Sequence, residues 1–279
     1  MGAKRFVAGE TMDEFLSAAG DANDRGFAVA GGILGEGVHD RADAIAAAND
    51  YRCLLQAFAQ RHFDANVAFK LTHLGLDIDP DLAFDNAASV AETATSTANT
   101  VRLDMEQSRY VDATLRTYRR LRDRFEGVGF VLQSYLRRSR TDLEAMLPLH
   151  PNVRLVKGAY LESTTVAYER KRDVDENYVR LAEIALSSPG YTAIATHDAR
   201  IVQWVERFAA VKGLPTRGRF EFQMLYGIAA PLAQRLVERG YRVRLAIPFG
   251  AYWFPYLVRR LAERPANLAF FLRGALSRG

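Results

Sequence analysis

The sequence is short of the features that would settle its class at a glance. It has one cysteine, Cys53, in 279 residues. One thiol cannot close an internal disulfide, and Cys53 has no companions at metal-ligand spacing. Its place in an apolar helical stretch predicts a buried, inert thiol. No apolar run approaches the ~18 residues that a membrane span needs. The opening MGAKRFVAGE has no apolar stretch after its charges, so no signal peptide is expected and the cytoplasm is the default address. No basic tract with interleaved aromatics occurs, which argues against nucleic acid as a partner. HExxH and CxxC motifs are missing and the histidines are scattered, so no metal centre is expected. The glycines of GGILGEG do not have GxGxxG spacing, and Gly31 and Gly32 fall inside a strand pattern.

What is present is ordinary in composition and regular in pattern. The chain is 49% hydrophobic and 25% charged, with a formal charge of +4 spread in both signs. Its length is close to that of one (β/α)8 barrel, and no linker or low-complexity segment divides it. Eight short apolar runs lie at 28–34, 66–72, 100–106, 128–135, 153–160, 192–198, 220–225 and 243–249. Longer amphipathic stretches separate them, which predicts parallel strands with helical crossovers. Thr11 with Glu14 predicts a capping box ahead of the first strand, and Thr141 with Glu144 predicts another. Asp79-Pro80 reads as an N-cap and a first helical position. Leu115, Tyr118 and Leu121 share one face of a helix. These patterns predict an α/β fold, a single TIM-type barrel over 1–279. An extra helix precedes strand one, and a final helix lies near the barrel mouth.

Chemistry in such barrels sits at the C-terminal ends of the strands. Unusual polar residues cluster there: Lys70, Asp104, Gln133, Arg154, Lys157, Thr196, His197 and Gln223. By the period of two, Arg102, Asp104 and Glu106 are expected on one face. Arg102 and Glu221 read better as structural ion pairs of the interior than as site residues. His197, taken singly, is more often a hydrogen-bonded structural histidine than a catalyst. Arg259 and Arg260 on a helix would ordinarily be a solvated face. Together, two arginines and a lysine suit a carboxylate, because guanidinium groups hold carboxylates in a bidentate fork. No nucleophile–base pair accompanies them, which leaves the chemistry to a cofactor.

The segment 256–263, YLVRRLAE, resembles the YxxRRxxE signature of proline dehydrogenases. The resemblance extends through Lys70-Leu71-Thr72, Val101 to Glu106, Gln133 to Leu136, Val153 to Tyr160, Ala195 to Asp198 and Phe220 to Gln223. It is closest to short, single-function bacterial members, which usually carry extra N-terminal helices that this chain lacks. The resemblance implies FAD held noncovalently at the barrel mouth. It also implies oxidation of proline to 1-pyrroline-5-carboxylate, by hydride transfer to the flavin, with electrons passed to a quinone. Lys70, Arg259 and Arg260 would hold the substrate carboxylate, with Asp104 beside them. Leu225 and Tyr256 would pack on the ring, with Ala159 and Tyr160 nearby. Glu36 would pair with Arg259 as a gate. Gln133, Arg154, Lys157, Gly158, Thr196, His197, Gln223 and Glu263 would contact the cofactor. A 1-pyrroline-5-carboxylate dehydrogenase would act downstream, and quinone reduction would bring at most transient contact with the inner membrane face.

Two positions depart from the family pattern. Ala246 stands where the family usually has a tyrosine against the far edge of the proline ring, and Gly32 where it usually has an aspartate. Alanine opens space, which predicts either a substituted or larger ring, such as hydroxyproline or pipecolate, or weakened binding of proline. A non-catalytic binding barrel is the main rival. A Schiff-base aldolase using Lys70 or Lys157 is a lesser one, because no Gly-rich phosphate loop follows strand seven or eight.

Overall fold

The computed structural model describes residues 6–254, 256 and 258. Eight parallel strands close into a barrel in sequence order: β1 (Ala28–Ile33), β2 (Ala65–Phe69), β3 (Val101–Leu103), β4 (Val128–Gln133), β5 (Asn152–Val156), β6 (Tyr191–Ala195), β7 (Phe220–Leu225) and β8 (Val243–Phe249). Closure joins β8 to β1, with Ala30 opposite Ala246 and Gly32 opposite Pro248. The helices are α1 (Met12–Asp24), α2 (Arg41–Arg61), α3 (Pro80–Ser96), α4 (Val111–Arg122), α5 (Ser139–Met146), α6 (Lys171–Ser187), α7 (Ala199–Val211) and α8 (Ala230–Glu238). Helix α1 is the extra one ahead of β1; the expected final helix falls largely outside the described residues.

Local chemistry accounts for the helix starts. Thr11 and Glu14 form the expected capping box of α1. Asp79 caps α3 with Pro80 at its first position. Leu115, Tyr118 and Leu121 of α4 are all buried. The second capping box does not form: α5 begins at Ser139, so Thr141 already lies inside the helix, and Glu144 accepts from Arg140 Nε at 2.8 Å. Cys53 is exposed, contrary to expectation. Tyr51, Leu54, Leu55 and Phe58 define the buried stripe of α2, and at 100° per residue Cys53 points away from it.

Helix α1 packs across the closing seam. Phe15 stacks on Phe249 with ring centroids 4.5 Å apart. A Cβ on Gly31 would lie 3.0 Å from the Phe15 ring and 3.2 Å from Leu54, so this outward position leaves no room for a side chain. By alternation Gly32 faces the opposite side.

At the N-terminal end charged residues of β3, β7 and β8 line a cavity of about 690 Å³. Glu221 accepts from Arg244 Nε at 2.8 Å, from Arg242 Nε at 3.1 Å and from the Tyr191 hydroxyl at 3.1 Å. Burial works against its ionisation, but the neighbouring Arg244 outweighs it and holds the carboxyl down at about 2. Arg102 bonds Asn152, and burial together with Arg154 pushes its guanidinium down to about 9. Glu221 therefore forms the interior ion pair expected of it, whereas Arg102 bonds a neutral side chain and makes no salt bridge among the described residues.

Candidate active site

Several strands stop earlier than the apolar runs predict, and the leftover residues build the mouth. β2 ends at Phe69, β3 at Leu103, β5 at Val156 and β6 at Ala195. Lys70–Thr72, Asp104–Glu106, Lys157–Tyr160 and Thr196–Asp198 thus sit in loops at the C-terminal ends. Gly158 makes one of these turns possible. It has φ +103°, and a Cβ there would lie 2.1 Å from the Tyr135 ring.

Two adjoining cavities open at this end. The smaller, about 210 Å³, is walled by Ala30, Gly32 and Ala246 from β1 and β8. Its charge comes from Lys70, Asp104 and Arg154, and its apolar cover from Tyr160, Leu225 and Tyr256. The larger, about 590 Å³, is lined by Gln133, Lys157, Gly158, Thr196, His197 and Gln223, among others. Arg154, Ala159, Tyr160, Leu225 and Ala246 border both.

Polar contacts fix the groups in place. Arg154 Nη1 is 3.2 Å from Asp104 Oδ1, which ties β5 to the end of β3. Lys157 Nζ donates to Asp175 at 2.5 Å and to Asp198 at 3.1 Å. Burial opposes the ionisation of Asp198, yet Lys157 and the Arg200 amide hold its carboxyl well below the usual range. Asp198 also caps α7. His197 Nε2 accepts from the Leu225 amide at 2.9 Å, so in its neutral form the ring carries its proton on Nδ1. Gln133 Nε2 donates to the Met105 carbonyl at 3.2 Å, and Gln223 Nε2 to Glu221 at 2.6 Å. Four buried atoms on these walls, Gln133 Oε1, Gln223 Oε1, Arg154 Nε and Arg154 Nη2, have no hydrogen-bond partner among the described residues. Buried polar atoms of this kind are costly unless a ligand or water satisfies them.

A family model for proline dehydrogenase matches residues 15–273. The chain is 42% identical to a proline dehydrogenase of Deinococcus radiodurans, over 98% of this chain and 90% of that one. It is 39% identical to proline dehydrogenase 1 of Bacillus subtilis subsp. natto, over 100% of this chain and 92% of that one. The chain belongs to the proline dehydrogenase family. Like these relatives it is an oxidoreductase. Among solved structures it superposes with TM-score 0.86 and 28% identity on proline utilization A (PutA) from Bdellovibrio bacteriovorus, inactivated by N-propargylglycine. That match covers 93% of this chain and 32% of the other, so the chain spans about a third of the larger protein's length.

The proline dehydrogenase resemblance named residues that the fold largely brings together. Lys70, Asp104, Ala159, Tyr160, Leu225, Ala246 and Tyr256 meet at the smaller cavity. Gln133, Arg154, Lys157, Gly158, Thr196, His197 and Gln223 meet at the larger. Arg259, Arg260 and Glu263 lie outside the described residues. Glu36, expected to pair with Arg259, places Oε2 2.6 Å from Lys70 Nζ. The expected shared face of Arg102, Asp104 and Glu106 is not found, because β3 ends at Leu103 and the period of two ends with it. Arg102 reaches Asn152, Asp104 reaches Arg154, and Glu106 is buried against Thr72. The sequence reading missed Lys171 at the larger cavity's rim, and Asp175, which joins Lys171 to Lys157. Their i,i+4 spacing at the start of α6 was the available signal.

Proposed function

We propose that the chain oxidises L-proline to 1-pyrroline-5-carboxylate in the smaller cavity, with FAD as oxidant in the larger one and a quinone as final electron acceptor. The observation that carries this reading is the wall shared by the two cavities, where a small substrate and a larger cofactor would meet. The donor and acceptor set fits a flavin, whose ring edge alternates hydrogen-bond donors and acceptors. Among the described residues, Gln133 Oε1 and Gln223 Oε1 are unpartnered acceptors, and Arg154 Nε and Nη2 unpartnered donors, on the larger cavity's wall. When bound, FAD supplies the two-electron acceptor for the hydride that leaves the substrate's ring carbon.

The chain's own residues bind and orient. Lys70 holds the substrate carboxylate by a charge-assisted hydrogen bond, and Glu36 must share or yield that ammonium as the substrate enters. By resemblance, Arg259 and Arg260 add a bidentate fork, Glu263 adds a cofactor contact, and Glu36 closes on Arg259. Asp104 fixes Arg154 between the two cavities, where its positive charge favours electron-rich groups. Tyr160, Leu225 and Tyr256 exclude water from the ring. In this reading the whole chain is one catalytic domain that works in the cytoplasm. A 1-pyrroline-5-carboxylate dehydrogenase consumes the product, and quinone reduction brings only transient contact with a membrane surface.

One observation favours a second reading, a substituted or larger ring as substrate. A Cβ on Gly32 would meet nothing within 4 Å, and Ala246 stands on the same wall. The deciding experiment is a visible spectrum of the purified protein, followed by anaerobic addition of L-proline, trans-4-hydroxy-L-proline and L-pipecolate in turn. Flavin bands that bleach with proline are the expected result. Bleaching only with the bulkier rings selects the second reading. A protein that shows no flavin bands even after FAD is added overturns both.

A further inference from the structure

Glu106 takes no part in the chemistry above, yet it is a carboxylate only 2% exposed. Its partners explain its burial. The Thr72 hydroxyl donates to Glu106 Oε1 at 2.6 Å, and the Thr72 amide donates to Oε2 at 3.3 Å. Thr72 in turn anchors the loop that follows β1. Its Oγ1 accepts from the Gly37 amide at 3.2 Å, and its carbonyl accepts from the Val38 amide at 3.2 Å. That loop carries Glu36, which meets Lys70 at 2.6 Å. Lys70 belongs to the same turn as Thr72, closed by the His73 amide bonding the Lys70 carbonyl at 3.2 Å. One carboxylate thus fixes a turn, and the turn fixes a loop.

We propose that Glu106 is a positioning residue that acts through Thr72: it holds the Glu36 loop and the Lys70 turn in register, and so sets how readily Lys70 accepts a substrate carboxylate. The proposal rests on reading the smaller cavity as the substrate site. The charged and titratable groups facing Glu106 are Lys70 from the turn after β2, Glu36 from the loop after β1, and Tyr51 from α2. Burial pushes the Glu106 carboxyl up to about 7, against the Thr72 bonds and Lys70, which favour its ionised form. Below that pH the carboxyl protonates, and the charge-assisted bonds to Thr72 weaken.

The test compares Thr72→Val, which keeps the shape and removes the hydroxyl, with Thr72→Ser, which keeps the hydroxyl, and with Glu106→Gln. Two quantities are read: amide hydrogen exchange at Gly37 and Val38, and KM and kcat for L-proline. Thr72→Val is expected to speed Gly37 exchange roughly tenfold and to raise KM roughly tenfold, with kcat within about twofold. Thr72→Ser restores both, and Glu106→Gln lies between. The wild-type KM rises as pH falls through 7, and that rise is flattened in Thr72→Val. Wild-type KM and unchanged Gly37 protection in both Thr72→Val and Glu106→Gln overturn the proposal. If proline fails to reduce even the wild type, the reading of the cavity falls instead, and the exchange data still decide whether the clamp exists.

Discussion

The two ends of the barrel both bury charge, but they complete it differently. At the N-terminal end Glu221 receives hydrogen bonds from Arg244, Arg242, Tyr191 and Gln223. Arg242 is further paired with Asp64 at 2.5 Å. That unit supplies its own counter-charges. Among the described residues at the C-terminal end, Arg154 has one carboxylate contact, at 3.2 Å, and two unpartnered nitrogens, while the amide oxygens of Gln133 and Gln223 face no donor. Arg102 qualifies the contrast, since among the described residues its Nε and Nη1 also lack partners at the lower end. An inward charge in a barrel is therefore not a site in itself. Incompleteness alone does not mark one either, because Arg102 and Asn66 at the lower cavity of about 690 Å³ are also incomplete among the described residues. The upper end is singled out by the family residues gathered around its two cavities.

The largest effect that sharpens this contrast comes from the completed end. Among the described residues, Glu221→Ala leaves Arg244 buried with only the Asp64 carboxylate near it, at 3.9 Å, and takes from half-buried Arg242 one of its two carboxylate partners. It should lower unfolding free energy by about 3–5 kcal/mol, measured by urea denaturation at pH 7. The pH dependence has a definite sign. Glu221 sits at about 2, against 4.5 for an ordinary glutamate, so its folded pKa is depressed. Its stabilisation is complete above 4.5 and is lost as pH falls from 4.5 through 2. Glu221→Gln should remove that part of the acid profile. A variant as stable as the wild type at pH 7 would show that the lower ion cluster is dispensable.

At the incomplete end, substitution should spare the fold and cost binding. Lys70→Met keeps the length of the side chain and removes its charge. The lost charge-assisted contact is expected to raise KM for proline on the order of 10- to 100-fold. Folding stability should change by no more than about 1 kcal/mol, because the Lys70–Glu36 pair is partly exposed. Equal losses of stability in Lys70→Met and Glu221→Ala would erase the distinction between the two ends.

Most of the fold was legible in the sequence, because hydrophobic runs and caps are local signals. All eight runs became strands, and α1 and α3 start where Thr11 and Asp79 place them. Strand ends were less legible. Lys70, Asp104 and Lys157 continue an apolar run on paper, but their charged groups find partners only off the ladder, and the backbone turns there. The cavity residues were legible through motif resemblance, not through periodicity. The partners of those residues were not. Glu36 on Lys70, Thr72 on Glu106, and Asp175 on Lys157 join positions from 18 to 34 apart in the chain. Only tertiary packing creates such pairs. Cys53 was misplaced because its apolar surroundings hid which face of α2 it occupies.

The smallest expected effect concerns space and not charge. At the lower end a Cβ on Gly129 would sit 2.6 Å from the Asn152 carbonyl oxygen and 3.3 Å from Arg102 Nε, so nothing can be added. At the upper end Gly32 has open space, and Ala246 borders both cavities. A phenol introduced by Ala246→Tyr therefore enters free volume, and the usual overpacking penalty of about 1–3 kcal/mol should not apply. It should instead narrow the substrate ring space. One methylene in an apolar pocket is worth about 1–3 kcal/mol, so the ratio of kcat/KM for pipecolate over proline should fall by roughly tenfold. A ratio that does not move would mean that the wall at Ala246 never touches the ring, and that the open space beside Gly32 serves something other than substrate choice.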